Sequence, residues 1–523
     1  MDFEKFLLTE NAARKGRQEL FRLGIALLFL VGIILFISMR GGQVSVSLVV
    51  AGMIGGYMAL NIGANDVANN VGPAVGSKAM TLLGAIVIAA IFEAAGALIA
   101  GGDVVGTIKS GIISPTAVQN TDQFVWLMTA ALLAGAIWLN MATASGAPVS
   151  TTHSIVGGVL GAGIAAGGWG IANWGQMGQI AMSWVISPVM GGIIAAAFLY
   201  LIKRTITYKS DMLAAARVMV PILQAVMAWA FTTYLVMKGL KHIWKASFFS
   251  ASLIGLGIAT LTYLLTRMSV ARASENMENG KPGVNTLFTL PLIFSAAMLS
   301  FAHGANDVAN AVGPLAAINE AITHGAVAAK ASIPIWVMMV GAIGIALGLA
   351  LYGPKLIKTV GTGITELDQM RAFCIAMAAA ITVIVASQLG LPVSSTHIAV
   401  GGVFGVGFLR EFIKAHYGRM IDTIEEHHLG HDREIVEAYL ERFRAADFES
   451  KGAMLIELKT SKQAVVDSHL SKSERKNLKS IYRKELVKRS ALMRIVAAWL
   501  ITVPASALMA ALFYFMIRGM MLP

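Results

Sequence analysis

Eleven residues, Gly63-Ala-Asn-Asp-Val-Ala-Asn-Asn-Val-Gly-Pro73, recur 241 positions later as Gly304-Ala-Asn-Asp-Val-Ala-Asn-Ala-Val-Gly-Pro314, identical at ten of the eleven places. A second pair, Pro148-Val-Ser-Thr-Thr-His153 and Pro392-Val-Ser-Ser-Thr-His397, is offset by 244 and runs into Val156-Gly-Gly-Val159 and Val400-Gly-Gly-Val403. Two unlike motifs repeated at nearly one spacing require a duplication, so the fold has to be built twice. Weaker echoes then align: Thr107 to Ile112 with Thr359 to Ile364, and Trp184 and Pro188 with Trp499 and Pro504.

The motifs sit among long apolar runs. Only 13% of the 523 residues are charged, 56% are hydrophobic, and mean hydropathy is +0.69. A typical soluble domain carries about 25% charged residues, so a soluble enzyme is excluded and an all-α polytopic membrane protein is expected. The 53 glycines fit the glycine enrichment of membrane helices. Runs near the ~20 residues needed to cross a bilayer fall at about 21–39, 46–62, 80–101, 124–144, 149–165, 180–202, 214–238, 246–267, 287–302, 332–352, 371–388, 393–409 and 491–517, which makes about 13 segments. The net charge of +12 is explained by cytoplasmic loops rather than by nucleic acid. Cys374 is the one cysteine, so no disulfide framework can form within the chain.

Of 70 charged residues, 31 crowd between Arg410 and Ser490. The expected organisation is therefore a cytoplasmic N-terminus and extra membrane helix (1–44), transport repeat 1 (45–210), a linking helical hairpin (211–286), transport repeat 2 (287–410), a soluble cytoplasmic insert (411–490), and the last helix of repeat 2 (491–523). Basic residues near span ends favour the cytoplasm. Arg14, Lys15 and Arg17 place the N-terminus inside, and Lys203, Arg204, Lys209, Arg267 and Arg272 mark later inner turns. Lys238, Lys241 and Lys245, on an expected outer turn, run against the pattern. On this count the repeats enter the membrane from opposite sides, and inverted repeats with discontinuous helices are the architecture of alternating-access carriers.

The chemistry lies in the two motifs. Asp66 and Asp307 bring a carboxylate into the membrane at matched positions, at a cost of about 3 kcal/mol each if unpaired, which points to bound cations or a wet cavity. Asn65 and Asn69, and likewise Asn306 and Asn310, lie four apart on a helix and add amide oxygens. Gly63, Gly72 and Pro73 allow the helix to break and free its carbonyls. Helix–helix hydrogen bonding by the asparagines is the plainer alternative, but it would not require the aspartates. The Ser/Thr segments read as helix starts, where Ser150, Thr151, Thr152, Ser394, Ser395 and Thr396 present hydroxyls beside free N–H groups, a setting that favours an anion. His153 and His397 either pin the turn or act as ligands or proton relays. Glu93 stands alone in an apolar run, and its counterpart at an offset of 252 is Ile345. It is an extra cation ligand or a proton site, or an acid beside an aqueous pocket. Lys109 either draws anions inward or is simply a charge on an outer turn.

Both motif pairs resemble the signature of the inorganic phosphate transporter (PiT) family, which includes the sodium-phosphate symporters of solute carrier family 20. The resemblance spans about Ser45 to Arg410 plus the final helix. It implies an inverted-repeat bundle in the cell membrane that imports phosphate by symport with sodium. Asn65, Asp66, Asn306, Asp307 and Glu93 would hold sodium, with phosphate at the Ser/Thr turns beside Asn69 and Asn310. Proton coupling, metal-phosphate symport and sulfate transport are the alternatives within this class. An intramembrane phosphohydrolase built on His153 and His397 is disfavoured because no arginine accompanies the motifs, and a passive anion channel, the third reading, would show no uptake against a gradient. A homo-oligomer and a cytoplasmic regulator of the insert are further candidate partners.

Overall fold

A computed structural model describes residues 2–40, 45–118, 120–147, 149–239, 244, 246–325, 333–363, 367–414, 431–445, 454, 457 and 489–521. Most of the 411–490 insert, Lys241, Lys245 and Pro148 lie outside these. Among the described residues everything regular is helical apart from one isolated bridge, Ile113 with Ala172. The helices are α1 (Asp2–Met39), α2 (Val46–Asn65), α3 (Ala68–Gly76), α4 (Leu82–Ala100), α5 (Gly102–Gly106), α6 (Thr121–Ser145), α7 (Thr151–Gly167) and α8 (Trp174–Ile202). There follow α9 (Met212–Gly239), α10 (Phe248–Ala273), α11 (Lys281–Leu287), α12 (Thr289–His324), α13 (Ile335–Gly363), α14 (Gln369–Gln388), α15 (Ser395–Lys414), α16 (His431–Ala445) and α17 (Arg489–Met521). The chain divides into two compact units, Met1–Val403 with Ser490–Pro523, and Phe404–Arg489.

Local sequence sets the helix ends. Thr81, Asn120, Asn173, Ser247 and Asp368 each accept a hydrogen bond from the backbone N–H three residues on, capping α4, α6, α8, α10 and α14. Gly146, at φ 74°, takes the left-handed conformation that ends α6. Among the described residues ten helical spans, with α2 and α3 taken as one, are long and apolar enough to cross a membrane, or eleven with the pair α11 and α12, bent by 43° at Phe288. This is fewer than the thirteen expected. Two of the segments counted from sequence, α7 and α15, begin at the Ser/Thr turns, and α7 has 17 residues where about 20 are needed to span.

Leucines face outward, as on α10 with Leu253, Leu256, Leu261 and Leu264, whereas α2 is buried along most of its length. Hydrocarbon solvates leucine as well as a protein interior does, so helices here associate through close packing and polar contacts. Glycine supplies the close packing. A Cβ at Gly63 would stand 1.9 Å from the carbonyl oxygen of Ile345, and one at Gly304 would stand 2.2 Å from that of Glu93. Gly348 meets Leu60 O at 1.9 Å, and Gly96 meets Phe301 O at 2.0 Å. These four contacts, two at the crossing of α2 with α13 and two at that of α4 with α12, are two copies of one arrangement at the repeat offsets. They set Glu93 opposite Ile345, as the alignment does.

The first motif is broken between α2 and α3 at Asp66 and Val67, whereas α12 runs through Gly304 to Pro314 without interruption for 36 residues. Breakage expected of both motifs is thus found in one. The side chains account for the difference. Asn69 Nδ2 donates back to the Asp66 carbonyl, and the Asn69 N–H bonds the same carbonyl, which tightens the turn. Asn310 Nδ2 instead donates outward to the hydroxyls of Thr151 and Thr152, leaving its own helix regular.

Candidate functional site

The hairpins α6–α7 and α14–α15 carry the Ser/Thr turns into the protein, and matched asparagines hold them there. Asn65 Nδ2 donates to Thr143 Oγ1 (3.0 Å) and to the Ala147 carbonyl (3.2 Å), while its Oδ1 accepts from the Val149 N–H (3.2 Å). Asn306 repeats the pattern with Ser387 Oγ (2.9 Å), Leu391 O (3.2 Å) and Val393 N (3.4 Å). Both asparagines, expected to face a cation, have their amide groups committed to the turns.

What the turns present is a ring of hydroxyls around the two aspartates. Asp66 Oδ2 accepts from Thr151 Oγ1 (2.6 Å) and Oδ1 from Thr396 Oγ1 (2.8 Å), one donor from each repeat. Thr151 also lies 3.4 Å from Asp307 Oδ2, to which Ser395 donates at 3.5 Å. Asn69 Nδ2 donates to Thr396 Oγ1 at 2.8 Å. Asp66, Asp307, Asn69, Asn310, Thr151, Thr396 and Ser395 therefore meet in one buried cluster assembled from both repeats. Ser150 and Ser394 cap their own helices by accepting from His153 N and His397 N, and Thr152 Oγ1 donates to the Val393 carbonyl. These three buried groups serve the turns. Asp307 Oδ1 and Asn310 Oδ1 are buried and have no hydrogen-bond partner among the described residues, which leaves lone pairs for a cation.

Glu93 is fully buried and joined to this cluster through a residue the motif comparison passed over. His303 precedes the second motif by one place, where the first repeat has Ile62. Its Nδ1 is 2.7 Å from Glu93 Oε2 and its Nε2 is 2.8 Å from Asp307 Oδ2, while Asn70 Nδ2 donates to Glu93 Oε1 at 2.7 Å. Reading the self-comparison one residue further upstream would have exposed it. The imidazoles of His153 and His397 lie edge to face, with ring centroids 4.4 Å apart, and His153 packs on Trp184 at 3.9 Å. Lys109, read from sequence either as drawing anions inward or as a charge on an outer turn, is buried and ion-paired to Glu320 at the far end of α12. Lys238, the described member of the dissenting lysines, pairs with Asp103.

Buried carboxylates enclosed by hydroxyl and amide groups, at the meeting of two duplicated halves of a helical membrane bundle, are the marks of an ion-handling membrane protein. A profile described as the phosphate transporter family matches residues 62–510, and the chain belongs to that family. A protein of Helicobacter pylori J99 named "Putative phosphate permease" is 52% identical over 514 residues, covering 97% of this chain and 96% of its own. A Pyrococcus abyssi protein given the same description is 39% identical over 362 residues, which is 68% of this chain and 88% of its own. A solved structure entitled "The sodium-dependent phosphate transporter" superposes with a TM-score of 0.72 at 31% identity, covering 91% of this chain and all of that one.

Proposed function

We propose that the protein is a secondary transporter of the cell membrane that imports inorganic phosphate by symport with sodium through alternating access. The observation that carries this reading is the enclosure of Asp66 by Thr151 and Thr396 and of Asp307 by Thr151 and Ser395, hydroxyls drawn from both repeats. Sodium is bound by the aspartates, with Asn310 Oδ1 as a further oxygen, and cancels their charge. The hydroxyls released from the carboxylates are then donors for a phosphate dianion, which two bare aspartates would repel across a low-dielectric gap. Asn65 and Asn306 position the turns, and Glu93 acts from behind through His303.

The halves have inverted topology and exchange outward- and inward-open shapes, with the N-terminus and the 411–490 insert in the cytoplasm. The names of the relatives support phosphate as the substrate, and the name of the solved structure supports sodium as the coupling ion. The test is uptake of labelled phosphate into proteoliposomes under an imposed sodium gradient, then under a proton gradient, with sulfate as competitor. Sodium alone should drive accumulation, and Asp66→Asn or Asp307→Asn should abolish it. Wild-type uptake by either variant, or proton-driven uptake indifferent to sodium, would overturn the reading.

A further inference from the structure

Gln224, midway along α9, is 1% exposed, and its Oε1 has no hydrogen-bond partner among the described residues. A buried amide oxygen left unpaired is costly and rare in a native fold. The same side chain lines a cavity of about 500 Å³ bounded by α4, α9, α10 and α12. Neither the side chain nor the cavity belongs to the aspartate centre.

The walls are chiefly apolar. Phe92, Phe231 and Phe294 supply three aromatic rings, and Met227 and Met298 two thioethers. Phe231 stands edge-on to Phe301, with ring centroids 5.3 Å apart, which anchors that wall in the core. Leu265 and Phe294 line the cavity and are also exposed, and α4, α9 and α10 are each long and apolar enough to cross a membrane, so the cavity opens sideways onto the surface that faces lipid. An occupant therefore comes from the bilayer. Small-molecule sites span about 300–1,000 Å³ and combine apolar walls with a few polar groups, as here. Water suits the place less well, since a buried water needs two to four polar partners and Thr262 already donates its hydroxyl to the Ile258 carbonyl at 2.8 Å.

We infer that this cavity is a binding site for a membrane-dissolved phenol, whose hydroxyl hydrogen-bonds Gln224 and whose ring packs among the three phenylalanines. Gln224 Oε1 requires a donor, so an ether, a ketone or a bare hydrocarbon would leave it unpaired, whereas a hydroxyl supplies the donor and can accept from Nε2 in return. Aromatic rings gain from edge-to-face and offset contact with other rings, and thioether sulfur adds to it, which favours an aromatic body over an alkyl chain of like volume. The site shares no atom with the sodium and phosphate positions.

4-Hydroxybenzophenone is itself a phenol and cross-links to nearby C–H bonds, those of methionine above all, on illumination. Full-length protein in liposomes would be illuminated with increasing amounts of it, and the adducts located by peptide mass spectrometry. Labelling should saturate and fall on Met227 or Met298. 4-Methoxybenzophenone keeps the shape and lacks the donor, and should bind there about tenfold more weakly, the value of one hydrogen bond. Gln224→Leu should weaken the hydroxyl probe about tenfold and erase the difference between the two probes, and Ala228→Phe, which fills the cavity, should abolish labelling by both. Should Gln224→Leu fail to fold, Ala228→Phe and the two probes on the wild type decide. Equal labelling by both probes on the wild type, labelling that never saturates, wild-type labelling of Ala228→Phe, or no adduct in α9 or α12 would overturn the site. Phosphate uptake is not the readout, so this result and the transport reading stand or fall separately.

Discussion

Replacing Asn65 by leucine separates two roles that the position can serve. The side chain makes three contacts with the α6–α7 turn, to Thr143 Oγ1, Ala147 O and Val149 N, at 3.0, 3.2 and 3.2 Å. The Thr143 hydroxyl can turn back to its own helix, but the Val149 N–H is buried and the Ala147 carbonyl partly so, and both would be left unpartnered. At about 1–3 kcal/mol for each stranded buried group, the expected loss is about 3 kcal/mol, or more than a hundredfold in the unfolding equilibrium. Unfolding of the purified protein by SDS in mixed micelles, without sodium, measures it. Asn306→Leu should cost a similar or slightly smaller amount, since its third contact is longer at 3.4 Å. If Asn65→Leu stays within about 1 kcal/mol of wild type in sodium-free buffer while the sodium concentration for half-maximal uptake climbs, the asparagine is an ion ligand and the turn-pinning argument is wrong.

Alanine at Gly96 or Gly348 would push its Cβ to 2.0 or 1.9 Å from a facing carbonyl and should destabilise the protein by about 1–3 kcal/mol or more, whereas Gly102→Ala, which meets nothing within 4 Å, should be neutral or mildly stabilising in the same unfolding assay. Lys109→Met strands the buried Glu320 carboxylate and should cost about 3–5 kcal/mol. The double variant Lys109→Met/Glu320→Leu should recover most of that loss, and a double variant as unstable as the single would refute the pairing argument. Thr396→Val removes a hydroxyl bound to Asp66 while keeping the side chain's shape, and should raise the phosphate KM about tenfold, the equivalent of one ~1.4 kcal/mol contact, with little change in melting. An unaltered KM would take Thr396 out of the substrate site.

The membrane class, the duplication and the aspartate centre were legible in the sequence because each rests on pattern: hydropathy, identity at fixed offset, and charge where none is cheap. Glu93 was legible as a broken symmetry. Its partner was not, because His303 lies one residue outside the block of identity, and a mismatch of histidine with Ile62 registers only when both repeats are laid on one backbone. Hydroxyl-rich helix starts could be recognised, but their targets could not. Nothing in Pro-Val-Ser-Thr-Thr-His tells that Ser150 caps its own helix while Thr151 reaches Asp66. Lys109 misled for a related reason: its partner Glu320 is more than two hundred residues away, and a lysine beside an apolar run looks like a surface charge until the fold closes over it. The unbroken α12 was hidden too, since the matched asparagines of two nearly identical motifs differ in that Asn69 also bonds back to its own helix at Asp66 whereas Asn310 reaches only the hydroxyls of Thr151 and Thr152.

The glycine crossings also dictate how movement in this molecule can be watched. A probe carried on an introduced cysteine is tolerated only where a side chain has room, so Gly63, Gly96, Gly304 and Gly348 are closed to labelling, while Gly24, Gly102, Gly178 and Gly257 face open space. The lone native thiol, Cys374, is sealed inside α14 and contributes little background to such chemistry. Pairs of reporters on the open glycines can therefore record distances between helices without disturbing the contacts that hold them together.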